Sequence, residues 1–450
     1  MIAAVRSTGK HSMLTGSVAL TFFKYSVPWA LGFLLLSSAG IVDALFLGRY
    51  AGTVALAAVN IVSPMFSFFF GISIMISVGG TVRSARYVGE GNLVAASAMF
   101  SKSMIAQAVI GTLFAIASLI FCDPLLRMLG AEGALLEPAR VYLQTLMWFG
   151  PIIPCAYGLS QFARVDQHPT LASFGLALSA GMNVILDYFF IAVWDMGVFG
   201  AALATELGYA CTMLLFIGHF LSRRAGLRFF VPRTGWKELV ASSLNGGAEC
   251  INELSVGTVI LLFNHTMIAR FGAEGVAAFT IINYTTWFGL TLAYGLSDTL
   301  APLVSANHGA GRHDRTHAFL VIALVTLFGL GLGMFALFTA LPNQIIELFL
   351  PGDVGVARIA SAFIADYRWC FLLSGVNMGL VCYFTGLHLV RQAMSTALLR
   401  SLILPALLLL LLPLWWGEHG IYWAIPLTEL VTLCFAALLF WTCSGCRKKA

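Results

Sequence analysis

The chain has 450 residues, of which 59% are hydrophobic and only 10% charged, with a net charge of +5; a soluble domain carries about 25% charged residues. Most of this surface therefore cannot face water, which excludes a soluble globular protein. The small positive balance comes without a basic stripe interleaved with exposed aromatics, which excludes a nucleic-acid partner.

The polar lead MIAAVRSTGKHSMLTGSV opens on an apolar stretch too long and too badly flanked for a cleaved signal peptide. It reads as a first membrane helix. A span needs about 20 mostly apolar residues. Twelve stretches meet that need, near 20–47, 54–79, 94–121, 139–163, 169–193, 198–221, 240–268, 275–300, 316–341, 357–386, 392–416 and 420–442. They leave no room for a sizeable soluble domain. The expected fold is all-α and integral to the membrane, with twelve transmembrane helices. Phe (35), Trp (10) and Gly (44) are abundant, as lipid contact, interfacial anchoring and close helix approach require. A lone CxxC, Cys443 and Cys446, lacks a second ligand pair and reads as incidental.

Basic residues orient the spans. With the N-terminus inside, sixteen Lys and Arg fall on cytoplasmic segments and six outside. The cytoplasmic set includes Arg6 and Lys10, the linker residues Arg223, Arg224, Arg228, Arg233 and Lys237, and Arg447, Lys448 and Lys449. That bias places both termini in the cytoplasm, with the chain multi-pass and an even number of spans.

The chain repeats itself. At an offset of 220, Gly89 and Gly91 in VGEGN meet Gly309 and Gly311 in HGAGR. At 223, GVFGAALATEL (197–207) meets GIYWAIPLTEL (420–430), so Glu206 meets Glu429. The organisation read from this is an N-terminal lobe at 1–221 (helices 1–6), a cytoplasmic basic linker at 222–237 and a C-terminal lobe at 238–450 (helices 7–12). Parallel six-helix repeats about an axis along the membrane normal enclose a central cavity in the usual carrier plan.

Ionisable residues inside spans are costly and mark function or a partner. The repeat sorts them. Asp43 falls opposite Phe263, Asn183 opposite Ala406 and Asp187 opposite Leu410. Polar groups held by one half alone favour function over shared structure. Asn183 and Asp187, four apart, share a helix face, and Thr205 opens the next span. Two carboxylates with amide and hydroxyl oxygens form a hard-ligand set for H⁺ or Na⁺. Like charges at close range in a low dielectric do not both ionise cheaply, so such a pair can hold a proton. The competing reading puts Asp43 near the outer interface and has Asp187 merely bonding a neighbour. Glu206 and Glu429 repeat each other, which favours structure. Glu249 and Glu253, also four apart, have no acidic counterpart and are candidate contacts for a cationic substrate, or a polar helix start. Aromatics around Phe66, Tyr284 and Trp287 can line a cavity and stack on a cation, or pack against lipid. Asp298 is expected in solvent near the cytoplasmic end of its span.

The segments IVDALFLGRYAGTVALAAVNIVSP (41–64), AGMNVILDYFFI (180–191) with GVFGAALATEL after it, and APLVSANHGAGRHDR (301–315) resemble the MATE (multidrug and toxic compound extrusion) family, on its prokaryotic DinF-like and MepA-like side. The likeness runs from about 15 to 442. It implies two six-helix lobes around a central cavity, alternating access, and export of amphipathic, often cationic compounds against H⁺ or Na⁺. The family's N-lobe ion site, an Asp in the first helix, an Asn and Asp four apart in the fifth and a Thr in the sixth, carries over as Asp43, Asn183, Asp187 and Thr205. Glu253 sits where the NorM-like branch keeps a functional Glu, although NGGAECINEL lacks that branch's proline.

The reading is then a secondary active antiporter with Na⁺ or H⁺ at Asp43, Asn183, Asp187 and Thr205, no cofactor, membrane lipid and a small amphipathic molecule as partners, and a monomeric state. A dedicated exporter of one natural product is the alternative. An intramembrane enzyme is disfavoured, because no HExxH occurs and GLSQ and GLSD do not complete a GxSxG turn. A lipid-linked precursor flippase is disfavoured because the buried charges read as almost all acidic.

Overall fold

The computed structural model describes residues 12–232, 235–349 and 354–447. Arg6, Lys10, Arg233, Lys448 and Lys449 lie outside these residues, as do the side chains of Cys443 and Cys446. Helices account for nearly all of the described chain. We number the spans α1 (Val18–Phe46), α2 (Gly52–Gly89), α3 (Leu93–Ile120), α4 (Leu136–Trp148 with Ile152–Val165), α5 (Pro169–Val193), α6 (Gly197–Leu221), α7 (Gly247–Gly272), α8 (Glu274–Gly309), α9 (His313–Ala340), α10 (Val354–Tyr367 with Cys370–Gly386), α11 (Val390–Trp416) and α12 (Glu418–Thr442).

Local chemistry sets the breaks. Val18–Gly89 runs as 72 near-continuous helical residues, about 108 Å at 1.5 Å each, against a hydrocarbon core of about 30 Å. Gly52, at φ 86°, turns it back on itself. Gly272, at φ 62°, does the same between α7 and α8. The two pieces of α4 meet at Gly150-Pro151. Those of α10 are bent by 51°. These bent spans bring the expected twelve into register with the helices observed.

The described chain packs as two compact units. The first runs to Gly246 and takes in Ser305–Arg312; the second holds Gly247–Val304 and the chain from His313 on. The linker and the short helix after it, Trp236–Asn245, thus pack with the first unit. In that unit Phe22, Tyr25, Trp29, Phe100, Phe162 and Phe216 are fully buried, and the Arg164 guanidinium lies 3.9 Å from the Trp29 ring centre. In the second unit Phe263 stacks on Phe279 at 4.8 Å and Phe363 on Tyr422 at 4.7 Å.

The buried charges are not almost all acidic. Lys102, Arg164 and Arg400 are buried as well. Lys102 pairs with Glu238 at 3.5 Å, and Arg400 with Glu429 at 2.9 Å. A cation can be buried once a partner far along the chain neutralises it, and such partners are invisible in a linear reading.

Candidate functional site

The first unit holds a cavity of about 230 Å³ between α1, α2, α4, α5 and α6. Asp43, Phe66, Asn183 and Thr205 line it, with Tyr142, Ser63, Ser179 and Tyr209. Asp187, one turn beyond Asn183, is fully buried and lies within electrostatic reach of Asp43.

Small residues bring these groups together. Gly32 lets α1 close on α5; a Cβ there would sit 3.1 Å from the Ser173 carbonyl. Gly208 lets α6 approach the other side of α5, where a Cβ would sit 2.8 Å from the Ser179 carbonyl and close to Asn183. Thr212 Oγ1 then donates to the Gly175 carbonyl at 2.9 Å. The result puts Asn183 Nδ2 3.3 Å from Thr205 Oγ1, to which it donates. Both acids precede a widened π-helical turn, Leu47–Ala51 after Asp43 and Tyr188–Val193 after Asp187. Such turns concentrate at functional sites because they break the regular backbone ladder.

The carboxylates are under-bonded. Asp43 Oδ1, both oxygens of Asp187, and Glu206 Oε2 are buried without a hydrogen-bond partner. Native structures rarely leave buried polar atoms unpaired, and a specific exception asks for an ion, a proton or a strained function. Two acids within electrostatic reach of each other, with an amide carbonyl and a hydroxyl nearby, can take up a proton or a small hard cation.

The equivalent place in the second unit is filled. Phe263, opposite Asp43 in the repeat, is 2% exposed and sits in the stack with Phe279 and Phe363. Its acids are arranged otherwise. Glu429 is buried and receives Arg400 Nε and Nη2, Ser374 Oγ and Asn377 Nδ2, all at 2.7–3.1 Å. Glu249 accepts from Asn252 Nδ2 at 3.3 Å and lies within electrostatic reach of Arg400, and Glu249 and Glu253 both lie within reach of Tyr294. Tyr284 and Trp287 expose 52% and 41% of their surface on α8. Asp298 is half-buried rather than solvated, and lies within reach of Glu249.

Three residues escape a linear reading. Tyr142 and Tyr209 line the cavity, and Tyr142 lies within electrostatic reach of Asp43, Asp187 and Glu206 together. Arg400 sits in a π-helical turn of α11, Leu399–Ile403.

The sequence matches the MatE family over residues 28–189 and 252–410. It is 24% identical over 432 residues to the multidrug export protein MepA of Staphylococcus saprophyticus, covering 94% of this chain and 93% of that one. To MepA of Staphylococcus aureus strain MSSA476 it is 25% identical over 426 residues, covering 92% and 91%. Among solved structures, an outward-facing multidrug resistance MATE transporter of the MOP superfamily aligns with a TM-score of 0.92 at 21% identity, over 99% of this chain and 100% of that one. A MOP superfamily transporter from Pyrococcus furiosus aligns at 0.91 and 21%, with the same coverage.

Proposed function

The chain belongs to the MATE family, and from that premise we propose that it is a secondary active antiporter. It exports amphipathic, cationic drugs or toxic metabolites in exchange for H⁺, Na⁺ or both, by alternating access, as a monomer in the bacterial plasma membrane with both termini in the cytoplasm. One observation carries the reading. Asp187, with neither oxygen hydrogen-bonded, is buried within reach of Asp43 beside a cavity that Asn183 and Thr205 also line.

In this mechanism the ion enters the cavity and neutralises the acid pair. The gain is large only in a conformation that holds Asp43 and Asp187 close. Ion binding therefore shifts the population between states in proportion to its differential affinity for them. α1 carries both Asp43 and an internal proline, Pro28, whose missing N–H weakens the helix there, so a change at Asp43 can be taken up as a bend. The names of the MepA relatives support drug export. Glu249 and Glu253, half-buried in the second unit, are the acids left to attract a cationic cargo.

Replacing Asp43 or Asp187 by Asn removes the acid while keeping its size. Either variant is expected to reach the membrane in normal amount and to lose export, read as drug susceptibility of cells lacking other pumps. Full resistance in either variant overturns the mechanism.

A further inference from the structure

Asp166 caps the end of α4, Gln167 takes a left-handed backbone at φ 69°, and His168 caps the start of α5 ahead of Pro169. This tight turn sets Asp166 and His168 side by side, and His219, on the last turn of α6, closes a third side. His219 Nε2 lies 2.8 Å from Asp166 Oδ2. His168 Nδ1 lies 3.5 Å from the same oxygen and 2.6 Å from the Asp166 carbonyl oxygen. One ligand atom from each of the three residues falls within 4.8 Å of the others.

The remaining contacts orient the carboxylate. Asp166 Oδ1 accepts from the backbone N–H groups of Gly226 and Leu227 at 2.8 and 2.7 Å. That leaves Oδ2 to face the two imidazoles. Asp166 is buried and His219 nearly so, with 9% of its side chain exposed, whereas the His168 side chain is 38% exposed.

The geometry points to a transition-metal site of Zn²⁺ class, bound through Asp166 Oδ2, His168 Nδ1 and His219 Nε2. Ligand atoms held at about 2.0–2.2 Å from a tetrahedral Zn²⁺ are themselves about 3.4 Å apart. The two measured contacts to Oδ2, 2.8 and 3.5 Å, bracket that separation. Two imidazoles and one carboxylate suit Zn²⁺, Co²⁺ or Ni²⁺, whereas Mg²⁺ and Ca²⁺ prefer oxygen alone. Each short nitrogen-to-oxygen contact otherwise needs a proton between its atoms, and on binding of one dication that proton moves to the other ring nitrogen, so that each histidine ligates as a neutral imidazole. The backbone donors on Oδ1 are the outer support that fixes a ligating carboxylate, and the exposed edge of His168 is the way in. Such an ion ties together two stretches distant in sequence, the α4–α5 turn and the end of α6, whose following linker already holds Asp166 Oδ1.

The test uses the full chain, carrying no histidine tag, in nanodiscs and stripped with EDTA. Adding ZnCl₂ alone is expected to raise the melting temperature, because a ligand that binds the folded state stabilises it. Adding CoCl₂ is expected to give visible absorption bands of a low-coordinate nitrogen and oxygen site. His168→Ala, on the open side, keeps the Asp166–His219 contact and is expected to fold and to lose at least ~10-fold in Zn²⁺ affinity. His219→Ala removes that contact and is expected to lose Zn²⁺ affinity by at least as much. No Zn²⁺-dependent rise in the wild type, or a response unchanged in His168→Ala, overturns the site and leaves a hydrogen-bonded clasp.

Discussion

Glu206 and Glu429 hold the same place in the repeat, but among the described residues only Glu429 is paired with an arginine. Arg400 meets it with two nitrogens, and Ser374 and Asn377 complete its shell. The repeat register sets Ala177 opposite Arg400, and Glu206 keeps one buried oxygen without a partner. Removing one member of a buried ion pair costs about 3–5 kcal/mol, because the survivor stays buried and uncompensated. Glu429→Gln is therefore expected to lower the melting temperature in detergent sharply, and Glu206→Gln to lower it little. Adding Arg400→Met to Glu429→Gln is expected to recover most of the loss. Equal losses in the two single variants contradict this assignment. The same contrast shows what a linear reading reaches. Asp43, Asn183 and Asp187 are legible because an acid or amide in an apolar span stands out, and because one half of the repeat lacks it; Thr205, which the repeat keeps as Thr428, is legible only by its place at the start of the next span. Arg400 is not, since its position gives depth in the span but not the carboxylate 29 residues away that neutralises it. Tyr142 and Tyr209 are not, because a tyrosine in a span is ordinary until the cavity beside it is seen.

At the scale of elements, glycines and widened turns decide the register. Gly91 and Gly311, at φ 74° and 69°, end α2 and α8 in the same way. In each, the residue after the glycine donates its N–H five residues back, Asn92 to the Tyr87 carbonyl and Arg312 to the Asn307 carbonyl. Left-handed backbone at the end of a helix is the place for glycine, which explains why the repeat is readable there. Gly89 and Gly309 have a second role. A Cβ on Gly89 would fall 1.9 Å from the Ala306 carbonyl oxygen, and one on Gly309 2.4 Å from that of Arg86. Each glycine thus seats its helix on the backbone of the other. Overpacking of this kind costs about 1–3 kcal/mol or more, so Gly89→Val is expected to reduce folded yield and melting temperature. Gly218→Ala, on α6 with no atom within 4 Å of the added carbon, is the control expected to leave both unchanged. A Gly89→Val protein as stable as the wild type means that the two helices do not meet there. The π-helical turns act in the opposite sense and blur the repeat. Asp187 is buried while its mate Leu410 is 61% exposed and Leu409 is buried instead. The turn at Leu399–Ile403 comes earlier in α11 than that at Tyr188–Val193 in α5. The extra residue rotates the helix beyond it, so sequence spacing alone misassigns the facing residue by one.

For the whole molecule, the asymmetry between the units bears on how work is coupled. In the first unit the place of Asp43 opens on a cavity; in the second, Phe263 and Phe279 stack in its stead. On the proposed mechanism this gives one coupling site per chain, which limits the drive available. A tenfold gradient of one monovalent ion supplies about 1.4 kcal/mol, and so supports at most about tenfold accumulation of cargo in a one-for-one electroneutral exchange. Inverted membrane vesicles test this directly. A fluorescent organic cation is expected to accumulate when an imposed gradient of H⁺, Na⁺ or both runs outward from the vesicle lumen. With the membrane potential clamped, accumulation is expected to level off near the imposed ratio. Repeating the measurement with and without Na⁺ identifies the ion, since an H⁺-coupled carrier responds to the pH gradient alone. Asp187→Asn is expected to abolish accumulation under every gradient, because both ions use the same carboxylates. Accumulation that needs no ion gradient, or that persists in Asp187→Asn, contradicts a single coupling site in the first unit. A plateau near the square of the imposed ratio points instead to two ions per cargo, one for each acid of the Asp43 and Asp187 pair.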